Sequence, residues 1–303
     1  MNTKITLLDG GMGQELLRRS SRPITRLWSA DIMLNEPHLV RDLHKDFILS
    51  GARIITLNTY TATPERLKRE NEMANFHKLH VSAIQAAKTA IDLAEHSGAR
   101  EGTKIAACLP PLVASYRPEV SLSFEQALPS YERLVEEQAS DSDIFICETM
   151  ASIAEASAAC SAAAQSGKPV WVAFTVSDTE AGNLRSGESV SDAVAALAEY
   201  KPEAILLNCS QPEAISASWY GLANCTLPLG AYANGFKSVS DLHPGGTVEH
   251  METREDLNPE RYNDYALEWI KNGASIVGGC CEISPLHIQT LRERLINEGF
   301  ELT

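Results

Sequence analysis

The sequence predicts an α/β protein folded as a single (β/α)8 TIM barrel. Eight short apolar segments suited to buried strands alternate with helical patterns, and polar or sulfur-containing residues follow most of these segments. Such alternation is typical of βα units with a parallel sheet. Eight units within 303 residues favour a closed barrel over an open, doubly wound sheet. No linker-like segment interrupts the pattern, so we expect one domain over residues 1–303.

The predicted strands are apolar and continuous rather than alternating, as is typical of strands covered on both faces. They span residues 5–9, 53–59, 104–108, 143–147, 170–176, 204–208, 227–233 and 275–277. Helices are indicated by apolar residues near a period of about 3.6 and by prolines at several helix starts. They are predicted at residues 36–51, 64–94, 123–138, 152–165, 190–200, 213–222, 259–272 and 285–298.

Charge balance and apolar content exclude two classes of partner. The chain has 40 acidic residues against 26 lysines and arginines, a formal net charge of −14. Because binding to polyanions depends on clustered lysine and arginine, we expect no nucleic-acid partner. No apolar run approaches the roughly 18–20 residues of a membrane span, and the first residues lack a secretory-signal pattern. We therefore expect a cytoplasmic protein with no membrane partner, whose seven cysteines remain thiols.

Polar and cysteine residues are concentrated where the predicted strands end. In a TIM barrel the carboxyl ends of the strands form one face, here called the mouth, and the chemistry lies there. The residues concerned are 9–11, 58–60, 147–149, 208–210, 234–235 and 278–281. Side chains far apart in sequence are therefore expected to converge at the mouth.

Cys209, Cys280 and Cys281 are the strongest indication of chemistry. Adjacent cysteines do not readily form a disulfide with each other, whereas both can face one metal ion if the preceding Gly278 and Gly279 allow a bend. Three thiolates suit Zn²⁺ and leave its fourth position open, as in catalytic zinc sites. An open position would bind a substrate thiol and lower its pKa. This predicts alkyl transfer to a substrate sulfur rather than hydrolysis.

The other cysteines are expected to be packing residues, because cysteine is among the most buried residue types. This applies to Cys108, Cys160 and Cys225, while Cys147 is expected to pack inward rather than act as a fourth ligand. The eight histidines show no metal-binding spacing.

Asp9 and Glu148 are the carboxylates at the mouth. Each could be a solvated charge or the partner of an arginine. Beside a thiol site, the two could instead hold the ammonium group of an amino-acid substrate. The backbone N–H groups of Gly10, Gly11 and Met12 could then receive its carboxylate, because glycine allows a ligand to approach the main chain closely.

Two other functions fit parts of this pattern. A zinc- or thiol-binding barrel without turnover would need the cysteines but would have no use for Asp9 and Glu148. A metal-dependent hydrolase is weaker, because such sites usually recruit histidines at strand ends and few are found there.

The sequence resembles the homocysteine S-methyltransferase family over nearly its whole length. The matching segments are LLDGGMGQEL, LWSA, NEPHLVRDLH, TYTATPERL, ICETM, LLNCS and VGGCCEISPLHI. The resemblance implies a zinc barrel that transfers a methyl group to homocysteine and gives methionine. It implies that the zinc ligands are Cys209, Cys280 and Cys281. It further implies that Asp9 and Glu148 hold the homocysteine amino group beside Gly10 and Gly11, and that the pocket is lined by Trp28, Asn58, Thr59 and Asn234.

The methyl donor is less defined by the resemblance. The chain has no room for the cobalamin modules of larger relatives, and stand-alone barrels use S-methylmethionine, S-adenosylmethionine or a betaine. We expect a sulfonium donor, S-methylmethionine or S-adenosylmethionine. The sequence departs from users of S-methylmethionine in residues 108–120, in the Tyr-Ala-Asn-Gly segment 232–235 and at Glu282. Another small thiol or selenol therefore stays open as the acceptor, and so does the oligomeric state.

Overall fold

A parallel sheet forms the centre of the protein. The computed structural model describes residues 3–248 and 250–303. The strand order is β2-β3-β4-β5-β6-β7-β8-β1-β9. The strands are β1 (Lys4–Leu7), β2 (Ile54–Thr56), β3 (Lys104–Leu109), β4 (Ile144–Met150), β5 (Val170–Phe174), β6 (Ala204–Asn208), β7 (Leu229–Tyr232), β8 (Ala274–Val277) and β9 (Glu301–Leu302).

The sheet closes between β1 and β2. The N–H of Asp9 donates to the carbonyl of Ile54 over 3.1 Å, and the N–H of Arg53 donates to the carbonyl of Leu7 over 2.7 Å. A parallel bridge between Leu8 and Ile54 completes this contact. The predicted TIM barrel is confirmed, because all eight predicted strands are present and neighbouring strands pair in parallel. The ninth strand was not predicted; it pairs in parallel with the first two residues of β1, Lys4 and Ile5.

Eleven α-helices of the described residues surround the sheet or cover its mouth. They are α1 (Met12–Arg19), α2 (Ser29–Asn35), α3 (Pro37–Ser50), α4 (Pro64–Arg69), α5 (Phe76–His96), α6 (Phe124–Gln138), α7 (Ile153–Ala164), α8 (Val190–Ala196), α9 (Pro212–Ser218), α10 (Pro259–Lys271) and α11 (Pro285–Asn297). None of the helices in residues 3–248 and 250–303 is long and apolar enough to cross a membrane.

The helix predicted over residues 64–94 is wrong as one continuous element. Asn71 has a φ of 58°, in the left-handed region, which a right-handed helix cannot contain. The chain therefore stops α4 at Arg69 and starts α5 at Phe76. The break matters for function, because α4 ends up beside the mouth while α5 packs against α3.

Side chains pack in two layers around the sheet. A small cluster fills the barrel interior and includes Leu8, Ile54, Ile146, Leu206 and Ile276. A much larger cluster lies between the strands and the surrounding helices. The strands are thus covered on both faces, which is why their sequences are continuous in apolar residues. The packed interior closes the barrel below the mouth.

Candidate active site

One cavity at the mouth contains both predicted carboxylates and all three predicted metal ligands. Asp9 follows β1, Glu148 lies within β4, Cys209 follows β6, and the Cys280–Cys281 pair follows β8. The convergence expected from the strand ends is therefore present. A cavity formed from four separate strands places an acidic pair and a sulfur cluster around the same space.

The end of β7 brings the sulfurs together. The N–H of Cys209 donates to the carbonyl of Tyr232 over 3.0 Å, and the N–H of Cys280 donates to the carbonyl of Ala233 over 2.9 Å. Two consecutive residues of one strand end thus hold the cysteines that flank it in the sheet. The sulfur atoms of Cys209, Cys280 and Cys281 all lie within 4.8 Å of one another. Such a cluster has the composition of a zinc site.

Cys209 and Cys280 are joined by a disulfide, whereas Cys281 is a free, half-buried cysteine. The expectation that all seven cysteines are thiols is therefore wrong for this pair. The physical reason is the shared attachment to β7, which holds the two sulfurs side by side. Because metal ligation requires thiolates, this disulfide must be reduced before both sulfurs can bind an ion.

The glycines at the mouth are required for close packing. A Cβ atom on Gly10 would lie 2.3 Å from the Ile283 carbonyl oxygen, and one on Gly11 would lie 2.5 Å from that of Cys280. Gly278 and Gly279 were expected to permit a bend, but neither has a positive φ. A Cβ atom on Gly278 would instead lie 2.5 Å from that of Leu8. These glycines let the loops after β1 and β8 touch.

The Gly11 N–H does not face a substrate. It donates to the carbonyl of Ile283 over 2.8 Å, so it already has a partner within the protein. The predicted role of this N–H in binding a carboxylate is therefore wrong. Gly10 and Met12 line the cavity beside it, and the role remains a prediction for them.

Asp9 is buried, and its carboxylate is held by one residue of β2. It accepts hydrogen bonds from the Thr56 N–H at 2.8 Å and from the Thr56 hydroxyl at 3.4 Å. Burial raises the pKa of Asp9 to about 8; the bonds from Thr56 lower the pKa, and the nearby charge of Glu148 raises it. An acid with this pKa is poised to ionise when a cation enters the cavity.

Glu148 is the second acid of the cavity; it is half-buried, and its described contact is a thiol. Cys108 donates to a Glu148 carboxylate oxygen over 2.9 Å. Burial raises the pKa of Glu148 to about 7, and the bond from Cys108 lowers the pKa in the opposite direction. Cys108 is buried as expected, but it also touches a site residue. Two acids that repel each other in one cavity favour a positively charged ligand.

Backbone strain is concentrated around the cavity. Within residues 3–248 and 250–303, seven non-glycine residues have a positive φ, and five of these line the cavity or are adjacent to a lining residue. The five residues are Trp28, Tyr116, Thr149, Cys209 and Glu282. A left-handed conformation at such residues costs about 1–3 kcal/mol and persists where the surrounding structure holds it. The loops at the mouth are therefore held in backbone conformations that are unfavourable in isolation, which is a common property of functional sites.

The remaining predicted lining residues divide into two pairs. Trp28 and Asn58 line the cavity. Thr59 does not: its side chain donates to the Gln138 amide oxygen on α6 over 3.1 Å. Asn234 is not among the lining residues either; its amide oxygen accepts the N–H of Phe236 over 3.2 Å and supports a turn that places Phe236 at the cavity. The substrate-binding role of Thr59 and Asn234 stays a prediction.

Sequence reasoning missed the aromatic and cationic side chains of the cavity. They include Tyr60, which was predicted among the strand-end residues without a binding role, and Arg26, Arg66, Arg69, Tyr116, Tyr232 and Phe236. Tyr60 and Arg66 lie within the TYTATPERL segment, so that motif was the available signal. Tyr116 lies in a loop with no regular pattern, and its hydroxyl donates to the sulfur of Cys209 over 3.3 Å. Nothing in the local sequence indicates that contact.

Comparison with known proteins decides the family. A sequence model described as homocysteine S-methyltransferase matches residues 6–295. The chain belongs to the homocysteine S-methyltransferase family. The homocysteine S-methyltransferase of Escherichia coli (strain K12) is 31% identical over 310 residues, covering 96% of this chain and 95% of the relative. The protein is thus a methyltransferase of this family.

Solved structures and a further relative extend this comparison. Two crystal structures of the homocysteine methyltransferase MmuM from Escherichia coli, a metallated and an oxidized form, each have a sequence 27% identical to this chain. Their TM-scores are 0.79 and 0.80, with 96% of each chain covered. The selenocysteine Se-methyltransferase of Brassica oleracea var. italica is 26% identical, covering 96% of this chain and 89% of that relative. The fold is therefore shared with a solved member of the family.

Proposed function

We propose that this family member is a zinc-dependent homocysteine S-methyltransferase whose methyl donor is a sulfonium compound, S-methylmethionine or S-adenosylmethionine. The observation that carries the proposal is the meeting of three cysteine sulfurs and two carboxylates, Asp9 and Glu148, in one cavity. A metal reservoir would need the sulfurs alone. An amino-acid substrate with a thiol needs both the cysteine sulfurs and the acids, because its thiol and its ammonium group must be bound at the same time.

The acids are assigned to the homocysteine ammonium group. Both have a pKa raised by burial, to about 8 for Asp9 and about 7 for Glu148. A cation placed between them would favour their ionised forms, so substrate binding would release protons. The hydrogen bonds from Thr56 and Cys108 keep the carboxylate oxygens oriented before the substrate arrives. This orientation would fix the homocysteine sulfur relative to the cysteines.

The cysteine cluster fits a zinc ion by the chemistry of its donors. Cys209, Cys280 and Cys281 would hold the ion once the disulfide is reduced. Three protein ligands leave one position for a substrate atom. A zinc ion held by the three cysteines would lower the pKa of the homocysteine thiol, which makes that thiol a nucleophile at neutral pH. That the E. coli relative has a metallated form supports a bound metal in this family member, and the all-sulfur donor set supports zinc.

Aromatic side chains surround the space in which the donor would lie. Trp28, Tyr60, Tyr116 and Phe236 line the cavity. Faces of such rings attract cations, which suits a sulfonium group. In the proposed reaction the homocysteine thiolate attacks the sulfonium methyl carbon. A carbon–sulfur bond to homocysteine forms as the donor's carbon–sulfur bond breaks, its electron pair stays on the donor sulfur, and a neutral thioether leaves.

The test is methionine formation by reduced, zinc-loaded protein with homocysteine. S-Methylmethionine, S-adenosylmethionine and glycine betaine are supplied in separate reactions, each with a chelated control. We expect turnover with a sulfonium donor and its loss on chelation. Zinc-loaded protein that forms no methionine from any of the three would contradict the proposal. Turnover with betaine alone would contradict the sulfonium assignment.

A selenol acceptor is a second candidate because curated relatives include selenocysteine methyltransferases. Selenocysteine carries the same ammonium and carboxylate groups as homocysteine on a side chain one methylene shorter. A parallel reaction with selenocysteine in place of homocysteine compares the two acceptors. The larger kcat/KM identifies the preferred acceptor.

A further inference from the structure

Arg66 lines the cavity and forms no ion pair among the described residues, although the charge of Glu155 acts on it from beyond ion-pair distance. Its guanidinium donates to the Pro111 carbonyl at 3.0 and 3.3 Å and to the Ser115 hydroxyl at 3.3 Å. Both acceptors are neutral. By contrast, the neighbouring Arg69 forms an ion pair with Glu70 at 2.9 Å. A guanidinium removed from water without a carboxylate is costly, and burial lowers the pKa of Arg66 accordingly.

The surroundings hold the Arg66 side chain in one position. Its guanidinium carbon lies 5.4 Å from the centre of the Tyr60 ring, in a cation–π contact. The Tyr60 hydroxyl bonds to the Ser115 hydroxyl over 2.8 Å, and that same hydroxyl accepts from Arg66. In a guanidinium fixed in this way, the Nε side of the planar fork is taken up by Pro111 and Ser115, and the two N–H groups of Nη1 remain to donate charge-assisted hydrogen bonds to a carboxylate. The site is therefore prepared for an anionic group from outside the protein.

We propose that Arg66 binds the carboxylate of the methyl donor and thereby selects donors that carry one. The assignment rests on the proposed function, since it concerns the second substrate of that reaction. It makes Arg66 a specificity-determining residue and defines the donor class as a zwitterion, with a sulfonium cation and a carboxylate in one molecule. A sulfonium ion without a carboxylate would lack this contact.

The position of Arg66 beside the aromatic rings of Trp28 and Tyr60 favours the methyl donor over homocysteine as its ligand. Trp28 and Tyr60 lie edge to face at 6.3 Å, and Arg66 lies over Tyr60. A sulfonium group on these rings would have the guanidinium beside it. The same loop reaches the sulfur cluster, because Ser115 precedes Tyr116, whose hydroxyl contacts Cys209. The homocysteine ammonium, in contrast, is assigned to the acids on β1 and β4.

The test compares two substitutions of Arg66 with a charge control on the same helix. Arg66→Met removes the charge and keeps the length, Arg66→Lys keeps the charge without the fork, and Lys68→Met removes an exposed charge of α4 outside the cavity. In Arg66→Met we expect the KM for S-methylmethionine to rise about 10- to 100-fold, the effect of losing a charge-assisted hydrogen bond. Arg66→Lys should restore part of this loss, and the KM for homocysteine should stay unchanged in all variants.

A rise in the homocysteine KM with the donor KM unchanged would overturn the assignment and move Arg66 to the acceptor. An unchanged KM for both substrates would also overturn it. Equilibrium dialysis of labelled S-methylmethionine with the same variants gives an answer even if turnover is absent. Weaker binding in Arg66→Met than in wild type and Lys68→Met supports the role of Arg66, whatever the methionine assay shows; equal binding contradicts it. Absence of methionine formation by wild type contradicts the proposed function instead.

Discussion

The thiol of Cys108 donates a hydrogen bond to the carboxylate of Glu148 over 2.9 Å, at the base of the cavity. Cys108 is buried and Glu148 is half-buried, on the neighbouring strands β3 and β4. Burial raises the pKa of Cys108 well above its usual range, so this side chain stays a neutral donor. Glu148 thus has one fixed donor, which favours its ionised form. The pair sets the pH range in which the cavity is ready for an ammonium group.

Removing this donor should shift the pH dependence of amino-acid binding. Glu148 has a pKa of about 7, and the bond from Cys108 lowers it, so Cys108→Ala should raise it further. Affinity for an ammonium group requires the ionised carboxylate and is lost as pH falls through the pKa. We therefore expect the midpoint of binding to move to higher pH in Cys108→Ala. L-Norleucine, which has no thiol, is a suitable ligand for calorimetric titration from pH 5.5 to 9.

Cys160→Ala is the matched control for this shift. Cys160 is a buried cysteine on α7, away from the cavity. Its substitution removes the same atoms from the core and should leave the midpoint where wild type has it. An identical shift in both variants would show that loosened packing, not the hydrogen bond, controls Glu148.

Neutralising Glu148 should stabilise the free protein while weakening homocysteine binding. Its folded pKa of about 7 lies above the ordinary value of 4.5, so ionisation costs stability as pH rises from 4.5 towards 7. Glu148→Gln removes this cost. We expect unfolding at pH 8 to require about 1–3 kcal/mol more in the variant, and the difference to vanish near pH 4. Chemical denaturation at the two pH values measures both.

Glu136→Gln serves as the comparison, because Glu136 is exposed on α6 and lies outside the cavity. That variant should match wild type in both stability and binding. A Glu148→Gln protein that is less stable than wild type at pH 8 would show that contacts within the protein already stabilise the ionised carboxylate without substrate. In that case the acids would not be held ready for a cation.

Metal content should depend on the oxidation state of the cysteine cluster. Because Cys209 and Cys280 are joined in a disulfide, protein oxidised with diamide should bind no zinc at the mouth, and reduction should restore binding. Cys281→Ser should lose zinc even when reduced, since only two thiolates would remain. Elemental analysis after gel filtration measures this. Cys225→Ser, outside the cluster, should keep zinc; zinc binding by the oxidised protein would contradict the assigned ligands.

The barrel could be predicted from the sequence because its signals are local and repeated. The segment 204–208, for example, matches β6 at both ends, since five consecutive buried residues can be accommodated in few other ways. The convergence of Asp9, Glu148 and the cysteines followed from topology alone, because strand ends of a parallel barrel share one face. These inferences did not require knowing which way each side chain points.

Side-chain direction in the loops could not be predicted in this way. Beyond a strand end the alternation of faces no longer applies, so Thr59 and Asn234 were assigned to the cavity although they bond elsewhere. The cavity side chains Arg66 and Tyr116 belong to a short helix and an irregular loop. Their positions depend on the break at Asn71 and on a left-handed backbone at Tyr116. Such conformations are held by tertiary contacts, which a local pattern does not encode.

The contact between Gly11 and the cysteine loop gives a last prediction. A Cβ atom on Gly11 would lie 2.5 Å from the Cys280 carbonyl oxygen and 3.0 Å from the Cys281 Cα. Both are backbone atoms, so Gly11→Ala must displace the loop that carries two ligands. We expect lower stability by about 1–3 kcal/mol and a clear loss of zinc affinity in the reduced protein. Competition with a chromogenic chelator measures the affinity.

Gly167→Ala separates the loss of zinc from a general loss of stability. Gly167 has a φ of 71° and open space around it, so alanine there is strained without displacing a neighbour. It follows α7, far along the chain from the cysteines. We expect it to cost about 1 kcal/mol and to leave zinc affinity unchanged, since the strain stays local. If Gly11→Ala lost stability but bound zinc as tightly as Gly167→Ala, the loop after β1 would not position the cysteines, and Gly11 would serve packing alone.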